Sequence, residues 1–292
     1  MQSPHPAITP SKLIPKLDRI TICFDDPDPN SSKQTCNLLV TEHLNKAFPG
    51  MIIKGNARYQ VSATIPLPFS SSAPNRHPVC FEAGPRHSAM ASYRLDCNPA
   101  KLSPQALADL MVFIDTVTHA TPKEFFGLGR VTRLDVALDI PGYSLDNVIV
   151  STTRKQKHGV YSDRSGRPET VYLGTPRSAR MVAYSKPNKD TGCASIRLES
   201  RLNPKCAGHT LHTLPNPFAK TLLLDLAILD HLSLPFPPQM LADSIRVRGL
   251  KHALEPLSAP TRKSIKHALA SAQGDSKNRT LPGLTRAANQ IL

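Results

Sequence analysis

The sequence lacks closely spaced cysteine pairs, long apolar runs and a signal-like N-terminus. Its six cysteines include no C-x-x-C pair and no Cys/His cluster at zinc-ligand spacing, which argues against a cysteine-based zinc site. We expect reduced, mostly buried cysteines, because a chain of 292 residues needs no disulfides to hold a core. The longest uncharged apolar stretches, such as residues 226–229, are far shorter than the roughly 20 residues that cross a bilayer. We therefore expect a cytoplasmic protein without a transmembrane helix or secretory signal.

Acidic residues are scarce relative to basic ones. The chain has 36 Lys and Arg against 22 Asp and Glu, a formal net charge of +14. The excess lies in two stretches, since residues 151–220 hold 13 basic and 4 acidic side chains and residues 240–292 hold 9 and 3. Each phosphate that a basic side chain neutralises releases counterions, so this distribution favours nucleic acid as the partner. Basic surfaces also serve solubility, so the charge alone does not establish binding.

The hydrophobic pattern and the turn signals predict strands and helices in alternation. Strands are predicted over residues 17–24, 57–65, 79–83, 89–97, 130–140, 169–173, 180–186 and 194–202. Helices are predicted over residues 32–47, 103–117, 216–229, 243–254 and 259–272. These elements indicate an α+β fold, mainly an antiparallel sheet with helices packed on one face. We divide the chain into a flexible leader over 1–15, an α+β core over 16–235 and a basic helical tail over 236–292.

Two predicted strands carry acids on one face and apolar residues on the other. In the strand over 130–140, alternation places Arg133, Asp135 and Asp139 opposite a wholly apolar face. The strand over 194–202 repeats the pattern with Arg197, Glu199 and Arg201. If the polar faces coincide, Asp135, Asp139 and Glu199 could form an oxygen-rich site for Mg²⁺ or Mn²⁺. The alternative is salt bridging, in which the arginines neutralise these acids on a solvated sheet face.

A third predicted strand, over 180–186, places Tyr184 and Lys186 on one face. A phenol beside an ammonium group and a metal ion loses its proton more easily, as a tyrosine nucleophile attacking a phosphodiester requires. A strand tyrosine is otherwise a packing residue.

Four motifs, taken in order, resemble a known family. They are Arg133-Leu-Asp135-x-x-x-Asp139, Glu169-Thr-Val-Tyr172-Leu-Gly174-Thr-Pro-Arg177-Ser178, Val182-Ala-Tyr184-Ser-Lys186 and Arg197-Leu-Glu199-Ser-Arg201-Leu202. This set resembles the replication initiation factors of rolling-circle plasmids and filamentous phages, the Rep_trans type, which are related to the conjugative relaxases of integrative elements. The resemblance covers residues 130–202, with weaker support from Arg94-Leu-Asp96-x-Asn98-Pro99-x-Lys101-Leu102. A Ser185 stands where the family usually has an acid, and the chain has no His-hydrophobe-His metal motif.

The resemblance implies a site-specific DNA endonuclease and strand transferase built from ferredoxin-like or RRM-like halves. Such an enzyme nicks one strand at a double-stranded origin, leaving a 5′-phosphotyrosine link and a free 3′-OH on the nicked single strand. It implies Tyr184 as nucleophile with Lys186 beside it, and a Mg²⁺ or Mn²⁺ ion on Asp135, Asp139 and Glu199. The expected DNA-binding residues are Arg133, Arg177, Arg180, Arg197, Arg201, Arg154, Lys155, Lys157, Arg246, Arg248 and Lys251. A host helicase and a second copy of the chain are further candidate partners.

Several alternatives remain open at the level of sequence. Tyr161, near His158 and Asp163 in a predicted basic loop, and Tyr172, expected to pack, compete with Tyr184 for the role of nucleophile. The same chemistry would serve a relaxase in conjugative transfer. A non-catalytic DNA-binding regulator on the same scaffold would use the acid and arginine pairs only structurally.

Overall fold

The computed structural model describes residues 13–26, 33–49, 52–65, 79–152, 158–175, 180–186, 192–203, 210–211, 213–214, 216–218, 221–226 and 234–274. The predicted leader over 1–15 lies almost wholly outside the described residues. The chain forms two compact units. One, the N-terminal unit, is built mainly from Lys16–Val136, and the other, the C-terminal unit, from Ala137–Leu202 and the residues described beyond 216.

The N-terminal unit contains a sheet with strand order β2-β3-β4-β1-β5. Its strands are β1 (Lys16–Phe24), β2 (Tyr59–Ile65), β3 (Val79–Pro85), β4 (Tyr93–Cys97) and the first part of β5 (Arg130–Pro141). Its helices are α1 (Lys33–Ala47), α2 (Pro104–Thr118) and α3 (Pro122–Leu128), with a 3-10 turn at Pro99–Lys101. Strand β2 shows why these segments are strands, because Tyr59, Val61 and Ala63 are buried at every second position while the residues between them are not.

Helix α2 begins where the sequence predicts it. The Ser103 side chain accepts a hydrogen bond from the Ala106 backbone at 3.1 Å, and Pro104 occupies the first turn, where its missing N–H has no cost. One side of the helix then buries Leu110, Ile114 and Val117. Phe113, on the same helix, packs edge-on against Phe81 of β3 with ring centroids 5.1 Å apart, which holds α2 against the sheet.

In the C-terminal unit the strand order is β5-β10-β9-β8-β7, and a second sheet pairs β11 with β6. The strands are the last part of β5, β6 (Val148–Thr152), β7 (His158–Ser162), β8 (Pro168–Gly174), β9 (Arg180–Ser185), β10 (Ser195–Leu202) and β11 (Thr221–Asp225). Helices α4 (Pro238–Leu254) and α5 (Ala259–Gly274) follow. An apolar cluster joins them to Ile149 of β6 through Leu241, Ala242, Ile245, Ala253, Leu254 and Ile265.

The structure confirms the α+β class, with a large antiparallel sheet and five α-helices among the described residues. The helix predicted over 216–229 is wrong. Residues Thr221–Asp225 form β11, in which Leu223 is paired with Val150 of β6. A short apolar run such as residues 222–224 has no periodicity that separates a strand from a helix, so the sequence pattern could not decide between them.

The basic loop predicted after residue 153 is partly wrong as well, since residues His158–Ser162 form β7. Cys23, Cys80 and Cys97 are free thiols, as predicted, but of these three only Cys97 is buried. Within the part of the chain that the structure describes, no helix is long and apolar enough to cross a membrane.

Candidate active site

The pairing of β9 with β10 brings the predicted nucleophile to the predicted acids. Tyr184 lies opposite Arg197 in this antiparallel pair, and Val182 lies opposite Glu199. Because side chains two residues apart share a face, Tyr184, Arg197 and Glu199 all lie on one face of the sheet. The other face is apolar, with Ala183 opposite Leu198, and both residues are fully buried.

Five side chains form what we call the tyrosine cluster: Asp139, Tyr184, Lys186, Arg197 and Glu199. The Tyr184 hydroxyl donates to Glu199 Oε1 at 2.6 Å. Arg197 binds Asp139 through both arms of its guanidinium, with Nε to Oδ1 at 2.6 Å and Nη2 to Oδ2 at 2.7 Å. Lys186 Nζ lies 3.9 Å from Asp139 Oδ2. The cluster thus joins a phenol to a carboxylate acceptor beside two cations, one of which is held in a fixed orientation.

The environment of Tyr184 raises the pKa of its phenol to about 12. Burial is the largest cause, followed by the hydrogen bond to the Glu199 carboxylate and that group's negative charge, while Arg197 acts in the opposite direction. The shift is opposite to the one that the sequence predicted from Lys186. At neutral pH the hydroxyl therefore keeps its proton, and a reaction at Tyr184 needs a base within reach.

No protein-family model and no curated protein matches this chain. The function is therefore inferred from the residues of the site.

The three acids expected to bind a metal do not gather at one point. Asp135 is paired with Arg133, whose Nη2 lies 2.7 Å from Asp135 Oδ2, and this pair belongs to the N-terminal unit. Four residues of strand separate the Cα atoms of Asp135 and Asp139 by roughly 13 Å, too far for direct coordination of one ion by two short side chains on a regular strand. Asp139 is bound by Arg197, and Glu199 accepts from Tyr184.

The described residues contain no group of three His, Cys, Asp or Glu side chains that could hold a metal ion. The three predicted ligands are therefore not grouped as one three-carboxylate site, and a metal ion bound to any of them stays a prediction. The observed contacts of Asp135 and Asp139 correspond instead to the alternative of arginine–carboxylate pairing.

The predicted DNA-binding arginines have different surroundings. Arg180 lies over the ring of Tyr172, with its guanidinium carbon 3.9 Å from the ring centroid, and Arg201 is opposite Arg180 in the β9–β10 pair. Arg246 is buried and donates to the backbone carbonyls of Leu145 and Asp146 at 2.9 and 2.7 Å, so it stabilises the fold. The side chains of Arg248 and Lys251 on α4 are exposed. Arg154, Lys155, Lys157 and Arg177 lie outside the described residues.

Of the two competing tyrosines, Tyr172 lies on a strand, as predicted, and Tyr161 also lies on a strand, not in the predicted loop. Tyr161 lies on β7 and Tyr172 on β8, and their rings meet edge to face with centroids 5.4 Å apart. Asp163 accepts hydrogen bonds from the backbone of Ser165 and Arg167, both within 2.9 Å, and so closes the turn between the two strands. The His158 side chain lies outside the described residues. Sequence analysis missed the contact between these two rings, because it depends on the register of β7 against β8.

The upstream motif that begins at Arg94 belongs to a separate network in the N-terminal unit. Arg94 contacts Glu82 and donates to Asp96 Oδ2 at 3.0 Å, and Arg19 donates to both Asp96 oxygens at 2.8 and 3.0 Å. Glu82 and Asp96 are buried. Because the network pairs buried carboxylates with arginines, removing one partner would leave a buried charge unpaired and destabilise the sheet.

Proposed function

We propose that this chain is a DNA nicking and joining enzyme, a rolling-circle replication initiator that uses Tyr184 as its nucleophile. The observation that carries the proposal is the 2.6 Å hydrogen bond from the Tyr184 hydroxyl to Glu199. A phenol with a high pKa is a weak nucleophile, and an adjacent carboxylate that accepts its proton during attack removes this obstacle. The ordered motifs of the sequence support the same chemistry.

The proposed step is a transesterification. The Tyr184 proton moves to Glu199 while the phenolic oxygen attacks the phosphorus of a DNA phosphodiester, forming a Tyr184–phosphate bond. The bond between phosphorus and the 3′-oxygen breaks, and that oxygen takes a proton from water to become a free 3′-OH. Glu199 returns its proton to the hydroxide that remains. The energy of the phosphodiester is kept in the 5′-phosphotyrosine, so the reverse reaction can join strands.

The cations of the tyrosine cluster suit the charge that develops on the phosphate oxygens. Lys186 and Arg197 lie on the same side of the sheet as Tyr184, and preorganised cations stabilise such a transition state without reorganisation. Asp139 holds Arg197 in place through two hydrogen bonds. We therefore assign the part-exposed Lys186 to phosphate contact, while the buried Arg197 contributes its positive charge to the site and Asp139 positions it.

The remaining contacts and the metal ion stay predictions. Arg133, Arg180, Arg201, Arg248 and Lys251 are the described residues proposed to contact DNA, with the basic C-terminal helices on the origin duplex. A requirement for Mg²⁺ or Mn²⁺ is tested directly by adding EDTA and then restoring each ion. The ferredoxin-like or RRM-like description of the two halves is likewise a proposal.

One observation favours a second candidate function. Asp135 and Asp139 both form direct arginine pairs, as they would in a non-catalytic DNA-binding regulator whose acids are structural. A relaxase would share all the geometry of the initiator and differ only in its DNA target.

The test is a nicking assay on a supercoiled plasmid that carries the genomic DNA flanking the coding sequence. The enzyme should convert the plasmid to open circles and remain linked to a 5′ end, and mass spectrometry of the nucleotide-bearing peptide should identify Tyr184. Tyr184→Phe should give neither product. Tyr172→Phe is the matched control and should nick normally. Binding without nicking by the wild-type protein, over a range of metal ions, would favour the regulator.

A further inference from the structure

The face of strands β7 to β9 that carries Tyr184 also carries two aromatic side chains that have no role in the proposed nicking reaction. Tyr161 and Tyr172 lie on this face together with Arg180, and we call these three residues the stacking surface. The strand registers place them, since Tyr161 is opposite Thr170, Thr170 is opposite Tyr184, and Tyr172 is opposite Val182. Tyr161 and Tyr184 therefore share one row across the sheet, two strand spacings or about 10 Å apart.

The ring of Tyr161 is presented to solvent and supported from one side. Tyr161 is 64% exposed, whereas tyrosine is on average only intermediate in exposure. Its neighbour Tyr172 meets it at an interplanar angle of 84° and is itself covered by the Arg180 guanidinium. Gly159 lies on the same face and has no side chain that could cover the two rings. A Cβ added there would lie 4.0 Å from the Tyr161 ring. Tyr161 thus contacts Tyr172 on one side and is mostly open to solvent elsewhere.

The charge around the stacking surface is suited to an anionic ligand. Arg180 and Arg201 are paired across β9 and β10, and Arg164 and Arg167 are exposed in the turn between β7 and β8. Exposed aromatic rings next to arginines are how proteins bind single-stranded nucleic acid, since bases stack on the rings while cations follow the backbone. A duplex keeps its bases stacked internally and could use only the cations.

The geometry points to a single-stranded nucleic acid site, in which an unpaired base stacks on Tyr161 while Arg180 and Arg201 contact the backbone. This inference rests on the proposed function, because it assigns the strand next to the scissile phosphate to a surface about 10 Å from Tyr184. The alternative is that the two tyrosines only stabilise the β7–β8 hairpin.

The test measures binding of the full chain to a fluorescein-labelled single-stranded dT oligonucleotide by anisotropy. Tyr161→Leu keeps apolar bulk but removes the aromatic face, and we expect it to weaken binding about tenfold, as loss of one base–aromatic stack does. Tyr161→Phe keeps the face and should bind as the wild type does. A 2-aminopurine placed in the oligonucleotide should be quenched on binding by the wild type and by Tyr161→Phe, and quenched less by Tyr161→Leu.

Two further measurements separate this inference from the proposed function. Tyr184→Phe cannot nick but should bind and quench the oligonucleotide normally. Circular dichroism before and after heating shows whether Tyr161→Leu is folded, and Arg180→Gln, which should also weaken binding, provides a second variant. If Tyr161→Leu and Arg180→Gln both bind and quench like the wild type, or if the wild type does not bind the oligonucleotide, the stacking site is wrong, whatever the plasmid assay gives.

Discussion

At Tyr184, burial and the neighbouring Glu199 carboxylate both make the phenolic proton harder to remove. Both raise the pKa of the phenol, and Arg197 opposes them only in part. The arrangement is unfavourable for a free phenolate and favourable for transfer of the proton to Glu199 during attack. The same contact therefore explains why the hydroxyl is protonated at rest and how it could react.

Replacing Glu199 by Gln should separate these two effects. The pKa of Tyr184 should fall from about 12, because the negative charge is lost, yet nicking at pH 7.5 should slow by about 100-fold, because the base is lost. Spectrophotometric titration of tyrosinate, taken as the difference between each protein and its Tyr184→Phe version, measures the pKa. Faster nicking by Glu199→Gln would show that Glu199 only hinders ionisation and is not the base.

Asp96 predicts a second pH effect, this time on stability. Burial would raise the pKa of this carboxyl, but the hydrogen bonds and charges of Arg19 and Arg94 outweigh it and hold the pKa below its ordinary value. Asp96 therefore stabilises the fold above about pH 4, and that stability is lost as pH falls through the lowered pKa. The free energy of unfolding of the wild type should exceed that of Asp96→Asn at pH 7, and the difference should shrink below pH 4.

Urea unfolding followed by circular dichroism between pH 3 and 7 measures this difference. Asp109→Asn, at a position on α2 where the carboxylate accepts only a local hydrogen bond from Gln105, controls for loss of a carboxylate. A difference between wild type and Asp96→Asn that stays constant from pH 7 to pH 3 would contradict the role given to the arginine pairs.

Among the elements, the docking of α1 on β3 depends on one glycine. Gly84 has φ +65°, and a Cβ added there would overlap the Asn37 side chain of α1, which donates to Gln60 Oε1 at 2.6 Å. Gly84→Ala should cost about 1–2 kcal/mol from the left-handed backbone and about 1–3 kcal/mol more from overpacking. Chemical denaturation measures the free energy of unfolding. The double variant Gly84→Ala with Asn37→Ala should regain part of the stability that Gly84→Ala loses, because Asn37→Ala removes the overlap.

Gly142 provides the control for backbone strain alone. It has φ +84°, and an added Cβ would meet nothing within 4 Å. Gly142→Ala should therefore lose only the roughly 1–2 kcal/mol that the left-handed backbone costs, without the cost of overpacking. Equal losses at the two glycines, with no rescue by Asn37→Ala, would mean that the contact between α1 and β3 contributes nothing.

The sequence predicted elements well where a local signal decided the structure. Helix α2 had its Ser103 cap and its apolar stripe, and β10 had Arg197, Glu199 and Arg201 alternating with Ile196, Leu198 and Leu202, with Ser200 as the one exception. In β5 the burial pattern does not alternate strictly, since Thr132 and Arg133 are both part-exposed between the buried Val131 and Leu134. Strand β11 is polar only at its two ends, Thr221 and Asp225, so its three leucines show no alternation. Its partner β6 lies some 70 residues earlier in the chain, so only tertiary pairing decides its structure.

The candidate site was predictable in its members but not in their contacts. Alternation along each strand correctly placed Tyr184 on one face of β9 and Glu199 on one face of β10. Which side chain meets which depends on register, and the observed register gives Glu199 to Tyr184 and Asp139 to Arg197. The stacking surface was missed for the same reason, because nothing in the sequence near Tyr161 indicates Tyr172 as its neighbour.

For the whole molecule, the net charge of +14 indicates a polyanion partner, but only exposed charges can bind one. The C-terminal helices illustrate the difference. Deleting them would remove cations and, with them, Leu241, Ile245 and Ile265 from the apolar cluster on Ile149, so loss of binding could reflect loss of folding. Arg246 is likewise buried and holds the backbone of Leu145 and Asp146. Substitution of exposed cations is the cleaner experiment.

Arg248→Gln combined with Lys251→Gln should therefore weaken binding to a 30-base-pair duplex without unfolding the chain. Lys251 pairs with Glu255 at 3.8 Å on an exposed surface, and such a pair contributes little to folding stability. The Lys251 ammonium can therefore leave Glu255 and bind a phosphate. If both side chains contact phosphate, the slope of log K against log salt should decrease by about 2, since each contact contributes about 0.9. Arg58→Gln combined with Lys123→Gln removes the same charge from exposed positions of the N-terminal unit and should leave the slope unchanged. Equal slopes for the wild type and the Arg248/Lys251 variant would place the duplex elsewhere, because a lost phosphate contact must change the number of ions released.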